Sequence, residues 1–539
     1  MKNQELTREY ILPKRIIASK SVENECIVFM RTPRQAYVHG KRELMTIKAS
    51  GYIILDFGKE INGGINITIQ HADNGAMLRY TFGESVGETL SNIGIKNATN
   101  DHSLRDFTLP VSMYSDTEIG DTGFRFIKLE AINGDIQIAN LLAVLKYRKL
   151  EYIGSFECND KALNDVWKMG AYTVHLNMQD YLWDGIKRDR LVWVGDMHPE
   201  VLTILSVFGD NEVINKSLDF IKNVTDKNAW MNSFASYTMN WILIQHDLFI
   251  YTGNFAYLEE QENYLVPAIT NLLNCVDDKG ETHFDCDFVD WSSHDTKEEK
   301  AGIHASLIIA LEAGSELLKA LGKNKLSRKC LEYVKILKKR KYEYKNNKQV
   351  SAKVFLAGLI DREEVKRIIK RDGVEGFSSF LGYYTLCALA EADDMSAAIE
   401  AIKNYWGKMI EYGATTFWED FDITWLKENP TKIDEIPEEG RKDLHGDFGR
   451  YCYTGFRRSL CHGWASGPTS FMSKYILGVY PIESGMKKIR IQPDLGNLQF
   501  AKGSFPTPYG KIVIEHTKND DGSTKTNILS KPENIEIVF

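Results

Sequence analysis

None of the eight cysteines (Cys26, Cys158, Cys275, Cys286, Cys330, Cys387, Cys452, Cys461) forms a Cys-x-x-Cys pair. That spacing excludes a zinc ribbon and argues against a disulfide framework. No run approaches the roughly 18 apolar residues of a membrane span, and the opening MKNQELTREYILPKR has no apolar signal core. The expectation is therefore a reduced, cytoplasmic protein with no membrane partner. A nucleophile elbow, phosphate loop, dinucleotide fingerprint and His-Glu-x-x-His motif are all missing. His283, His294 and His304 are spaced too widely for one helical metal site, so no metal and no cofactor is implied. Net charge is -8 with no basic stripe. The one dense positive run, Lys338 to Lys341, follows an apolar helical pattern and reads as a solvated helix end, not a nucleic-acid patch. What remains for catalysis is carboxylates.

At 539 residues, 43% hydrophobic and 26% charged, the chain is globular and long enough for two or three domains. Residues 1–150 read as a β-sandwich. Ile65, Ile67 and Ile69 alternate with Asn66, Thr68 and Gln70, the period of a half-buried strand, and Tyr52–Phe57, Phe124–Leu129 and Ile136–Leu142 are similar runs set between turns. Residues 151–480 read as roughly ten to twelve helices, the clearest placing Ile303, Leu307, Leu311, Leu318 and Leu321 on one face. An even-numbered set around an axis makes an (α/α) barrel with function in the loops at one end. Helical periodicity equally permits a solenoid, although no repeat of fixed length is visible. Residues 481–539 return to short strands, a small closing β-domain.

The densest chemistry lies in Asp184-Gly-Ile-Lys-Arg-Asp-Arg-Leu-Val-Trp-Val-Gly-Asp196. Asp184, Asp189 and Asp196 interleave with Lys187, Arg188 and Arg190, and Trp193 stands beside them. Buried charges must be matched. A sugar-cleaving site needs this mixture: carboxylates to move protons, an arginine to hold them, and tryptophan faces for a sugar ring. A surface ion-pair network capping a helix has the same composition. Glu419, after Trp418 and just past a helix end that Gly413 suits as a cap, can activate a water, or belong to an acidic surface loop with Asp420 and Asp422. His462 and Trp464 can contact a hydroxyl-rich ligand from a loop. Asp290-Trp291, and Tyr237 with Trp241 four residues apart, read as half core and half cleft.

Taken in order, these segments resemble the α-L-rhamnosidases of glycoside hydrolase family 78. That family carries Asp-Cys-Pro-x-Arg, an acidic residue, Arg, then Trp-x-Gly-Asp, standing here as Asp184-Gly-Ile-Lys-Arg188-Asp189-Arg190 and Trp193-Val-Gly-Asp196. Its Ala-Thr-Thr-x-Trp-Glu matches Ala414 to Glu419, and its His-x-Trp matches His462 to Trp464. Leu55-Asp-Phe-Gly-Lys-Glu-Ile-Asn-Gly-Gly64 looks like its N-terminal β-domain, and Tyr480 to Gly485 with Thr507 to Ile512 like its C-terminal sheet.

The resemblance implies a multidomain, mainly α protein: an (α/α)6 barrel between an N-terminal β-sandwich and a small C-terminal β-domain. It implies inverting hydrolysis of terminal α-L-rhamnose from a small rhamnoside, with two carboxyls roughly 6.5–9.5 Å apart to admit the water. Asp189 takes the acid slot and Glu419 the base. Asp184, Arg188, Trp193, Asp196, Trp241, Asp290, Trp291, Trp418, His462 and Trp464 are the expected substrate binders. Many members have Glu in the acid slot, so Asp189 is one methylene short, and Gly185-Ile186 replaces Cys-Pro. As an acid, Asp189 must hold a proton near neutral pH, so Arg188 and Arg190 cannot both face it. A sugar-binding protein that has lost catalysis, or a barrel glycosidase of other sugar specificity, are the alternatives. A homodimer is the expected assembly.

Overall fold

The computed structural model of the chain describes residues 6–38, 40 and 42–539. The first five residues of the opening segment read for a signal core lie outside that range. The chain forms two compact units, each assembled from separated stretches.

The first unit comprises the described part of Met1–Lys149 with His175–Leu191 and Met409–His462. Its framework is a continuous seven-stranded antiparallel sheet, centred on the strands Met45–Ala72, Ser115–Asn133 and Ile136–Tyr147. Met45–Ala72 serves as one strand for 28 residues because it bends at register shifts between Asp56 and Ile61 and between Gly63 and Ile65. Gly63, at φ 148°, lets the backbone approach so closely that a Cβ there would lie 2.0 Å from the Val144 carbonyl oxygen. The alternation at 65–69 marks a strand buried on both faces. Asn66 and Thr68 are as inaccessible as the isoleucines, and the Thr68 hydroxyl donates to Asp116 at 2.7 Å. Arg125 ties the 409–462 stretch to this sheet. Its guanidinium donates twice to Asp56, at 2.8 and 2.9 Å, and once to the Gly413 carbonyl at 2.8 Å.

The second unit comprises Leu150–Val174, Val192–Lys408 and Gly463–Phe539. Its helices Met197–Val207, Ala235–Thr252, Glu299–Ala320, Lys348–Leu356, Leu381–Glu391 and Gly467–Phe471 form an inner ring. Each touches the next, and the last packs back on the first. The helices between them in the chain, among them Glu212–Val224, Phe255–Asn274, Asn324–Leu337 and Arg362–Ile369, alternate with that ring. Six hairpins result, an (α/α)6 barrel. Glu299–Ala320 is long and apolar enough to cross a membrane, but here it is an inner-ring helix buried over most of its surface. Two small sheets follow. The strands Val479–Pro481, Lys488–Ile491 and Glu536–Val538 form one, while Phe500–Thr507, Gly510–Lys518, Thr524–Ser530 and the early strand Ser155–Cys158 form the other.

Candidate active site

The loop carrying Asp184 to Leu191 is closed on itself. The Asp184 amide donates to the Leu191 carbonyl at 3.1 Å, and the Leu191 amide donates to Asp184 Oδ1 at 3.0 Å. Between them the chain turns through two left-handed non-glycine residues, Asp189 (φ 58°) and Arg190 (φ 54°). Such conformations cost about 1–3 kcal/mol each and persist where surrounding contacts enforce them. Here the contacts are specific. Arg190 donates to the Asp121 carbonyl at 2.8 Å and its carboxylate at 3.1 Å, the Asp189 amide donates to His102 Nδ1 at 2.7 Å, and the Ser103 hydroxyl donates to the Lys187 carbonyl at 2.6 Å.

A second pairing brings Glu419 to this loop. The Glu419 amide donates to the Ser459 carbonyl and the His462 amide to the Phe417 carbonyl, both at 3.0 Å. Thr416 adds a hydroxyl bond to the Leu460 carbonyl at 2.8 Å, so residues 416–419 and 459–462 run side by side. Gly185 then forms an antiparallel bridge with His462. Asp420 and Asp422 turn away to Arg450, at 2.6 and 2.8 Å.

Arg188 is the hinge of the charges. Nη1 donates to Asp189 Oδ1 at 2.9 Å and Nη2 to Glu419 Oε1, while Nε donates to the Arg457 carbonyl at 3.1 Å. One buried guanidinium therefore holds both carboxyls. Burial works against its charge, but Glu419 and Asp189 outweigh that and hold its pKa above the ordinary value. Glu419 also accepts the Ser459 amide at 2.9 Å. Its pKa is raised by burial, with Arg188 and the Ser459 amide pulling the other way. Asp184 is raised further, first by burial and then by the neighbouring Asp189 carboxylate. His462 Nδ1 lies 3.8 Å from Glu419 Oε1, and burial followed by Arg188 pushes its pKa down to about 3. It is a neutral ring offering one donor and one acceptor. Three carboxyls thus surround one arginine, and burial raises two of them, Asp184 and Glu419.

Behind this group lies a charge cluster that the sequence did not disclose. Lys187 Nζ donates to the Phe456 and Arg458 carbonyls at 2.9 and 2.8 Å and lies 3.0 and 3.2 Å from Glu84 and Glu88. Glu84 accepts the Leu460 amide at 2.6 Å. Burial lifts its pKa to about 7 against the pull of Lys187. Glu84, Glu88 and His445 converge closely enough to ligate a metal, but the ammonium of Lys187 already supplies their positive charge.

The remaining expected residues divide by burial. In the second unit Trp193 meets Tyr237 edge-on at 6.2 Å, and Phe234, Phe288, Trp291 and His294 continue the cluster. Gly195 is required beneath it, since a Cβ there would enter the Tyr237 ring at 2.1 Å. Asp290 accepts from the Ser292 hydroxyl at 2.5 Å and is the charge facing buried Lys353, whose pKa falls to about 8 through burial. Asp196 is buried, its amide bonded to the Trp193 carbonyl. Trp464 stacks on Phe380 at 5.2 Å. Two expectations are corrected. Trp241 and Trp418 have no accessible surface. Trp241 packs on Tyr264 and Trp418 on Phe421, so both are core and offer no face to a sugar. A cavity of about 610 Å³ in the second unit, lined by His198, Asp247, Tyr383 and Tyr384, holds none of the expected acid–base residues.

Comparison with known proteins matches residues 151–347 to the bacterial alpha-L-rhamnosidase six-hairpin glycosidase domain and residues 478–536 to the bacterial alpha-L-rhamnosidase C-terminal domain. An alpha-L-rhamnosidase of Alteromonas sp. is 23% identical over 90% of this chain. The chain spans about half of that relative, 55% of its length. Among solved structures, the family GH78 rhamnosidase of Bacillus sp. GL1 superposes with TM-score 0.74 at 21% identity, covering 94% of this chain and 54% of the other. The rhamnosidase of Klebsiella oxytoca, solved with rhamnose bound, gives 0.71 at 19% identity, covering 87% and 96%. The six-hairpin glycosidase fold is shared with both.

Proposed function

We propose that this chain, a relative by sequence and fold of the glycoside hydrolase family 78 rhamnosidases, releases terminal α-L-rhamnose from small soluble rhamnosides with inversion. The observation that carries the reading is the single guanidinium of Arg188 bonded to both Asp189 and Glu419. A pair of carboxyls held by one group is what a two-carboxylate glycoside hydrolase requires, and the anomer of the released rhamnose tests inversion. Asp189 protonates the glycosidic oxygen as the bond to the anomeric carbon breaks. Glu419 takes the proton of the water that attacks the opposite face. The proton gained by Glu419 and the one lost by Asp189 re-equilibrate through solvent after the products leave. Asp184, buried beside Asp189, offers a carboxyl oxygen to a sugar hydroxyl, and neutral His462 offers a second polar contact. Cytoplasmic action as a homodimer completes the proposal.

The first test is hydrolysis of 4-nitrophenyl α-L-rhamnopyranoside by wild type, Asp189→Asn and Glu419→Gln, with α-L-fucoside and β-D-glucoside as controls. Turnover confined to the rhamnoside, with kcat cut at least about a hundredfold in Glu419→Gln, supports the reading. Binding of rhamnose without turnover of any glycoside would replace it with a sugar-binding role.

A further inference from the structure

The acid slot has a neighbour that no motif assigns. His102 stands on the segment before the strand Asp106–Pro110 of the β-domain, yet its Nδ1 meets Asp189 twice: it accepts the Asp189 amide at 2.7 Å and lies 3.1 Å from Asp189 Oδ1. A ring nitrogen that accepts an amide N–H bears no proton of its own. That lone pair is committed to the Asp189 backbone, and Oδ1 of the same residue stands 3.1 Å from the ring nitrogen. Oδ1 still has capacity for the Arg188 donor at 2.9 Å.

We propose that His102 is a positioning residue for the acid, holding Asp189 in its left-handed turn by accepting its amide. The inference rests on Asp189 being the acid of the preceding section and adds the contact that fixes where that carboxyl stands. The other charged groups around His102 are Asp101 on its own segment and Arg457, which pairs with Asp101 at 2.8 Å. That pair leaves little net charge on the far side of the ring. Ser103 anchors the segment by bonding both Thr122 and the Lys187 carbonyl, at 2.7 and 2.6 Å, so His102 is presented to Asp189 from both sides of the contact.

The test separates leaving groups. A nitrophenolate departs without protonation, whereas methoxide does not, so a defect in the acid is exposed by methyl α-L-rhamnopyranoside and hidden by the 4-nitrophenyl glycoside. Wild type, Asp189→Asn, His102→Ala and His102→Asn are compared on both substrates, with thermal unfolding as the folding control. His102→Ala is expected to lose at least about tenfold more kcat on the methyl than on the nitrophenyl rhamnoside. His102→Asn, whose side-chain oxygen can accept the same amide, should recover most of the methyl rhamnoside rate. Equal losses on both substrates, or none, while Asp189→Asn still discriminates between them, overturn the role of His102 and leave the acid assignment standing. If Asp189→Asn does not discriminate, the acid assignment itself fails and this inference fails with it.

Discussion

Asp184 is buried beside two other carboxyls, and its side-chain oxygen accepts the amide of Leu191. Its folded pKa lies above the unfolded value, so the carboxyl opposes folding at pH above the folded pKa. The penalty fades as pH falls towards the ordinary carboxylate range. Asp184→Asn keeps an oxygen for the Leu191 amide and removes the charge. Its melting temperature should exceed wild type by a few degrees at pH 8, and the gap should close towards pH 5. A gap that widens on acidification would show that the carboxylate form is the stabilised one. Asp184, Arg188, Asp189, Glu419 and His462 were legible from residue type and motif order. Their partners were not. His102, Glu84 and Asp121 come from chain positions that carry no pattern of their own, and they reach the 184–191 loop only because the sheet folds beneath it.

Among the elements, the 184–191 loop, the short helix Val86–Leu90 and the 456–458 segment meet on the ammonium of Lys187. Removing one partner of a buried ion pair leaves the others uncompensated, typically at a cost of about 3–5 kcal/mol. Lys187→Met should therefore lower stability by that order, read as a shift in the urea midpoint, and the added change Glu88→Gln should return part of it. A loss below about 1 kcal/mol would mean that water replaces the ammonium. Most helices of both rings were readable, the inner Ala235–Thr252, Glu299–Ala320 and Leu381–Glu391 among them. The outer helices Glu212–Val224, Phe255–Asn274 and Asn324–Leu337 face the ring on one side and solvent on the other, so their apolar residues repeat at helical spacing. The inner Met197–Val207 and Gly467–Phe471 are buried at every position. With no polar face to set a period, Met197–Val207 left no trace in the pattern, whereas Gly467-Pro468 marked the start of the other. Arg362–Ile369 was missed for a different reason, being only eight residues long.

At the scale of the whole molecule, the stretches that carry Asp189 and Glu419 belong to the same compact unit as the β-domain, although the helical pattern assigns them to the barrel sequence. A fragment spanning 151–539 would lack Glu84, His102 and Asp121, each bonded to the 187–190 turn. Such a fragment is expected to be inactive on rhamnosides and cleaved by trypsin at Arg188 or Arg190, sites protected in the full chain. Retained activity would show that the turn holds its shape unaided. The closed inner ring has a consequence for how the protein is made. Its first helix ends at Val207 and its last begins at Gly467, so about 260 residues must be translated between them, roughly 13 to 52 s at about 5–20 residues per second. Throughout that interval Met197–Val207 can pack on Ala235–Thr252, but its other flank lacks the helix Gly467–Phe471 that will cover it. The nascent chain is thus a natural client for a chaperone that shields such surface until the final hairpin emerges.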